Sequence, residues 1–222
     1  MPSLYEDYMI RMINMALVAI AKILQLKAAG MYQEAQDLID VNLEELLGLN
    51  AFMIKNLDDE SLLAILRKQS ELDKERMMVV AALFKEEGDI LEQRGQRVES
   101  QRSYMRALLL YMEGGLAEEG ARIDEVIEKV NFLGEKLDWE TLPVESLFTL
   151  FQFYELGGQY LQAEKVLSHM EKVSEQKQEL AAEFEDFYCR LLEKDDLQLR
   201  QGGLSREEVQ QRLEFRHRKR RG

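Results

Sequence analysis

At 222 residues the chain suits one large helical domain or two small ones packed closely together. It is 46% hydrophobic and 32% charged with a formal net charge of −13, so it can bury a core and its acidic body repels phosphate-rich partners. A single cysteine excludes an internal disulfide and a cysteine-based zinc site, while two prolines and a wealth of Leu, Glu, Ala, Gln, Arg and Met favour helices over strands.

The start, Met1-Pro-Ser-Leu-Tyr-Glu-Asp-Tyr8, places two acids ahead of the first base, Arg11, unlike a secretory signal. The apolar run Met12 to Leu26 is broken by Asn14 and Lys22 and falls short of the roughly 18 to 20 residues that span a bilayer. A soluble cytoplasmic protein is expected. Apolar periodicity predicts helices near 4–28, 31–47, 59–70, 73–94, 97–113, 116–135, 143–156, 159–174, 176–194 and 205–218. The first is apolar around nearly its whole circumference from Met15 to Ile23. It reads as a central core helix, with a dimer interface as the alternative. Asp58-Asp59-Glu60 starts a helix, Thr141 and Pro143 open another, and Ser205 with Glu208 forms a capping box. Gly202-Gly203 reads as a linker before a basic tail.

Three hexapeptides punctuate these helices: Gly30-Met-Tyr-Gln-Glu-Ala35, Gly95-Gln-Arg-Val-Glu-Ser100 and Gly158-Gln-Tyr-Leu-Gln-Ala163. Aligned on the final small residue, each has an apolar residue four places on (Ile39, Tyr104, Leu167) and another sixteen places back (Ala19, Phe84, Leu147). Twelve places back stand Ile23, Gly88 and Phe151. Each copy reads as a helix, a glycine turn and a second helix. The small residue lets the second helix approach the first.

This large-and-small pattern resembles the tetratricopeptide repeat, or TPR. The middle copy fits best, with Phe84, Gly88, Leu91, Ser100, Tyr104 and Ala107 on the pattern. It departs in having Ser100 where Ala is usual and Arg97 where an aromatic is common. The glycines are 65 and 63 residues apart, nearly twice the 34-residue period, and inserts at about 50–72 and 114–140 interrupt the repeat. The opening is also similar to an uncharacterised bacterial family of TPR-like proteins over about 5–113. That likeness rests on Asp7-Tyr8-x-x-Arg11-x-Ile13, Leu46-Leu47-Gly48-Leu49 and the segment Leu83 to Gly95. It implies an all-helical fold and no activity. The expected fold is therefore all-α: TPR-like hairpins with inserted helices, forming an irregular solenoid or a compact bundle. A TPR-like domain over 1–199, its second TPR-like part over 114–199, would precede a basic tail over 200–222.

No constellation of catalytic residues emerges. His169 sits beside an apolar stripe and reads as structural. Glu214-x-x-His217 is a single pair where di-iron bundles need two, so no metal is expected. The acidic doublets Glu44-Glu45, Glu86-Glu87, Glu118-Glu119 and Glu207-Glu208 read as solvated faces, because adjacent helical residues point about 100° apart. Gly115 to Gly120 has phosphate-loop spacing but lacks the following Lys-Ser/Thr. Cys189 reads as a buried structural thiol, and Trp139 as a lid over the core or an anchor for a partner. Neither an enzyme nor a cofactor is expected.

The repeat register assigns a candidate partner-binding surface to Lys85, Asp89, Glu92 and Gln93, and to Glu145, Phe148, Gln152 and Glu155. This mainly acidic set suits a protein or peptide partner, a basic or amphipathic helix in particular. The tail carries eight Lys/Arg against three Glu, a net of +5, with Arg216, Arg218, Lys219, Arg220 and Arg221 clustered at its end. It is expected to be exposed or docked on the acidic body. A non-enzymatic TPR-like interaction module or scaffold is the leading expectation. A nucleic-acid or anionic-membrane adaptor acting through the tail is the alternative.

Overall fold

Apolar residues spaced three and four apart give nearly every segment of the chain a stripe to bury, and helices form wherever that stripe runs on. A computed structural model describes residues 4–67, 71–116, 123–174 and 177–221, with only the backbone course given for Leu4, Tyr5, Glu71, Leu72, Asp124, Glu125, Lys177, Gln178 and Lys219 to Arg221. Among the described residues there are twelve α-helices and no strand. In order they are α1 (Leu4–Ala28), α2 (Tyr32–Leu47), α3 (Ala51–Asn56), α4 (Asp59–Leu66), α5 (Glu71–Gln93) and α6 (Arg97–Leu116). Then follow α7 (Ile123–Lys136), α8 (Val144–Leu156), α9 (Tyr160–Val173), α10 (Lys177–Leu192), α11 (Asp196–Gln201) and α12 (Arg206–Arg221). A one-turn 3-10 helix, Trp139–Thr141, precedes α8.

Two short helices escape the periodicity because six residues hold less than two turns. Their caps define them instead. Asn50 accepts from the Met53 N–H at 2.9 Å to start α3. Asp195 and Gln198 cap each other reciprocally to start α11. Asp58 starts α4 by accepting from Ser61 N–H at 2.7 Å, and Ser205 with Glu208 forms the expected box at α12.

The chain divides into two compact units, 1–137 and 138–222. In the first, α5 packs against α1, α2, α4 and α6, and α7 packs on α6. The fully buried Ile23, Ile39, Val80, Phe84, Tyr104 and Leu108 form its centre. Burying a side chain of this kind stabilises by about 2 kcal/mol. In the second unit α8 packs on α9, α9 on α10, and α10 on α12. Phe151 meets Phe187 edge-on, with ring centroids 5.4 Å apart.

The three hexapeptide turns are one structure repeated. Gly30, Gly95 and Gly158 take φ of 74°, 73° and 68°, the left-handed region that ends helices. Each donates three residues back, and the next residue five back: Gly30 to Lys27 O and Met31 to Leu26 O, at 3.0 and 2.9 Å. The following small residues Ala35, Ser100 and Ala163 are buried. Ser100 has a reason of its own, since its Oγ donates to Gly88 O at 2.9 Å.

Gly202-Gly203 is a fourth copy of this turn rather than a linker. Gly203 has φ 86° and Leu204 donates to Leu199 O at 3.0 Å. Gly202 is buried against Tyr160, and its carbonyl accepts from Leu161 N–H at 2.9 Å. The first helix also departs from expectation. Its face of Met9, Met12, Ile13, Ala16 and Ile23 is buried, and its opposite face lies in water. It is a half-covered helix, not a central one.

Candidate binding cleft

Sequence places Glu87 inside the apolar stripe of α5, three residues after Phe84 and four before Leu91. In the structure it is 5% exposed at the floor of a cavity of about 290 Å³ between α2, α3, α5 and α6. Its carboxylate is fully engaged. Gln36 Nε2 donates to Oε1 at 2.9 Å, Ser103 Oγ donates to Oε2 at 2.8 Å, and Lys55 lies 3.9 Å away. Gln36 Nε2 also donates to Asp40 at 3.0 Å, which fixes its amide orientation. Gln36 Oε1 is then buried with no donor among the described residues. A buried acceptor in that state calls for a water or a ligand.

Arg106, 3% exposed, forms the far wall. It donates to the carbonyls of Ile54 (3.1 Å) and Leu57, pairs with Asp59 at 3.3 Å, and lies over the Phe84 ring. Burial, and then the neighbouring Arg102, push its pKa below the usual guanidinium value. Its donors tie the ends of α3 and α4 to α6. At the rim, Arg94 and Arg102 are exposed. Arg102 donates to Leu57 O at 3.0 Å through one nitrogen, and Arg94 reaches Gln33 Oε1 at 3.5 Å. The floor is polar and satisfied except at one acceptor. The rim carries the two arginines together with the exposed Glu99.

The surface expected from the repeat register lies elsewhere on α5. Lys85 and Asp89 pair at 2.9 Å, and Lys27 of α1 joins both Asp89 and Glu86. Burial opposes the charged forms, yet these partners hold Asp89 below the carboxylate range and Lys85 above the usual lysine value. Glu92 accepts from Lys136 at 2.6 Å and from Tyr104 OH at 3.2 Å, while Gln93 is exposed. The carboxylates of this face are neutralised by the chain's own lysines. In the second unit Glu145 and Gln152 are exposed, and Phe148 leans on Phe151 at 5.8 Å. Glu155 takes a two-pronged bond from Arg190, at 2.6 and 2.9 Å.

Other expectations change in detail. Glu86 and Glu87 are both buried, not a solvated face, and they turn to opposite networks. Cys189 is exposed rather than buried, since Phe187, Tyr188 and Leu191 take the inward positions of α10. His169 Nε2 lies 3.1 Å from Trp139 O and its ring meets Trp139 edge-on, which ties the 3-10 turn to α9. Arg216 pairs with Glu171 at 2.7 Å over the Phe184 ring, and Arg212 pairs with Glu164 at 2.6 Å. Among the described residues Arg218 reaches only Glu214, at 3.7 Å. The side chains of Lys219, Arg220 and Arg221, and residues 117–120 of the glycine-flanked segment, lie outside the described residues. Among the described residues no group of three His, Cys, Asp or Glu side chains could hold a metal ion.

A family model described as "Family of unknown function (DUF6483)" matches residues 3–221. The chain belongs to that family. No curated protein and no solved structure matches it. The match runs through both units and the basic tail, so α12 is part of what the family shares in length.

Sequence reasoning missed Gln36, Glu87, Ser103 and Arg106. The signal was there in part: a carboxylate and a guanidinium occupying apolar-stripe positions of two adjacent helices. Such groups must find partners when buried.

Proposed function

We propose that this chain is a non-enzymatic protein-interaction module or scaffold, built from TPR-like hairpins of bacterial type and working in the cytoplasm. The observation that carries the reading is the cleft of the first unit, with an unsatisfied acceptor, Gln36 Oε1, at its floor and Arg94 and Arg102 at its rim. A polypeptide segment supplies what this cleft lacks. A backbone or amide N–H meets the buried acceptor, and an acidic side chain meets the rim arginines. A basic or amphipathic helix suits the chain's overall charge, but the α5 carboxylates that would attract it are already held by Lys27, Lys85 and Lys136.

Recognition fits the cleft better than catalysis. Glu87 is fixed by three partners, and the hydroxyl beside it, Ser103 Oγ, is itself buried and donates its proton to that carboxylate at 2.8 Å. The tail reading, a nucleic-acid or anionic-membrane adaptor, has less to draw on, because Arg212 and Arg216 are committed to Glu164 and Glu171. Affinity capture from the native cell with wild type and Arg102→Glu tests the module. A polypeptide retained by wild type and lost with Arg102→Glu supports it. Retention of no polypeptide, or equal retention by both, overturns it.

A further inference from the structure

The uncovered face of α1 has a pattern of its own. Tyr8, Ile10, Met15, Leu17, Val18 and Leu24 are 43–73% exposed. Of these, Ile10, Leu17, Val18 and Leu24 share one side of the helix, while Tyr8 and Met15 lie on its other flank. Within this face Ile10, Leu17 and Leu24 recur every seventh residue. Asn14, Ala21 and Ala28 recur every seventh residue on the alternate positions, and all six are exposed. The result is a coiled-coil seam with large residues in one position and small or polar ones in the other.

That seam is its own complement. We propose that α1 is a homodimer interface, pairing antiparallel with α1 of a second copy of this chain. In the register that sets Ile10 against the second copy's Ala28, Leu17 faces the second copy's Ala21 and Leu24 faces its Asn14. Every large side chain meets a small or slender one, and the twofold axis makes the reverse contacts identical. Val18, at 73% the most exposed of the six, lies beside that axis. A parallel pair would instead stack Ala21 on Ala21 and Ala28 on Ala28, leaving voids between bulky layers.

A membrane is the other apolar medium for this face, since Glu6–Ala28 is long and apolar enough to cross one by length and composition. Spanning would pull the fully buried Ile23 from the core and strip Lys27 from Glu86 and Asp89. Lying flat would bring an acidic body to the lipid with only Arg11 and Lys22 on the exposed face, few for an interfacial helix. The dimer is independent of the cleft and stands or falls without it.

Sedimentation equilibrium of the full chain tests it. Wild type should weigh two chains of 25.9 kDa. Leu17→Glu should raise the dimer dissociation constant by about 30-fold or more with unchanged helical circular dichroism. Phe52→Glu, on the exposed Phe52 of α3, should leave the dimer intact. In a Cys189→Ser background, mixing Ile10→Cys with Ala28→Cys should give a disulfide between unlike positions. A one-chain mass for wild type, a dimer that survives Leu17→Glu, disulfides between like positions alone, or binding to anionic vesicles in place of self-association would each overturn it.

Discussion

Tyr104 occupies the space that a side chain at Gly88 would need: a Cβ there would come within 2.5 Å of the tyrosine ring. The missing side chain lets α5 and α6 close together, and it lets the Tyr104 hydroxyl reach Asp89 at 2.9 Å and Glu92 at 3.2 Å. Burial and those two carboxylates push the phenol's pKa far above its ordinary value. Gly88→Ala should cost about 1–3 kcal/mol by overpacking, read from urea unfolding. Tyr104→Leu in the same chain should recover part of that loss. The aligned pair of the third hairpin, Phe151 and Leu167, is buried with the larger residue on its first helix. Costs that simply add in the double variant would contradict this coupling.

The Lys27–Asp89–Lys85 cluster makes stability depend on pH. Asp89 has a depressed pKa, so its contribution is present above the ordinary value of 3.8 and is lost as pH falls through its lower folded value. Lys85 has a raised pKa, so its contribution is present below 10.5 and is lost as pH rises through its higher folded value. Asp89→Asn should lower stability by about 2 kcal/mol near pH 7, because two part-buried ammonium groups lose a charged acceptor. The gap between wild type and variant should narrow as pH falls below 3.8 and on through the lower folded value of the carboxylate. Chemical denaturation at several pH values checks both the size and the direction.

Much of this architecture is legible in the sequence, and the reasons for what is not are physical. Gly30, Gly95 and Gly158 mark their turns because few residues other than glycine take the left-handed conformation that ends these helices. The same signal stands at Gly203 but reads as a linker, since a Gly-Gly pair carries no sign of what packs on it. Here Tyr160 and Leu161 do. Periodicity finds the long helices and passes over α3 and α11, whose existence rests on the caps Asn50 and Asp195. The register assigns part of the expected surface to α5. It cannot tell that Lys27, sixty-two residues from Asp89, arrives to neutralise it. Likewise Gln36 reaches Glu87 across fifty-one residues, and only the fold brings them together.

Arg106 holds a polar wall that a hydrophobic residue cannot replace. Arg106→Met keeps the stem over Phe84 but leaves the Ile54 and Leu57 carbonyls without this donor. The expected loss is about 2–4 kcal/mol, with the ends of α3 and α4 loosened first. Arg106→Lys should recover little, because one ammonium group cannot reach two carbonyls and Asp59 in a fixed fork. Hydrogen exchange should show faster exchange in residues 51–66 than elsewhere in the first unit, and uniform protection there would argue against this role.

The tail's own contacts predict what its removal does. Leu204 and Val209 are buried, Arg216 covers the Phe184 ring at 3.6 Å, and Arg212 and Arg216 neutralise Glu164 and Glu171. Deleting residues 204–222 removes five net positive charges' worth of this end only in part, since Arg200 remains; the larger loss is apolar cover on α10. Uncovering Phe184 and deleting Leu204 and Val209 together should destabilise the second unit by about 3–5 kcal/mol. The ion pairs are part-exposed and add less, so salt should weaken the intact protein only modestly. Tyr188 reports the change, because its hydroxyl donates to Glu164, the same carboxylate that Arg212 holds. Thermal unfolding followed by tyrosine absorbance should show an earlier transition in the truncated chain. Coincident curves for the two chains would mean that α12 contributes no stability through these contacts.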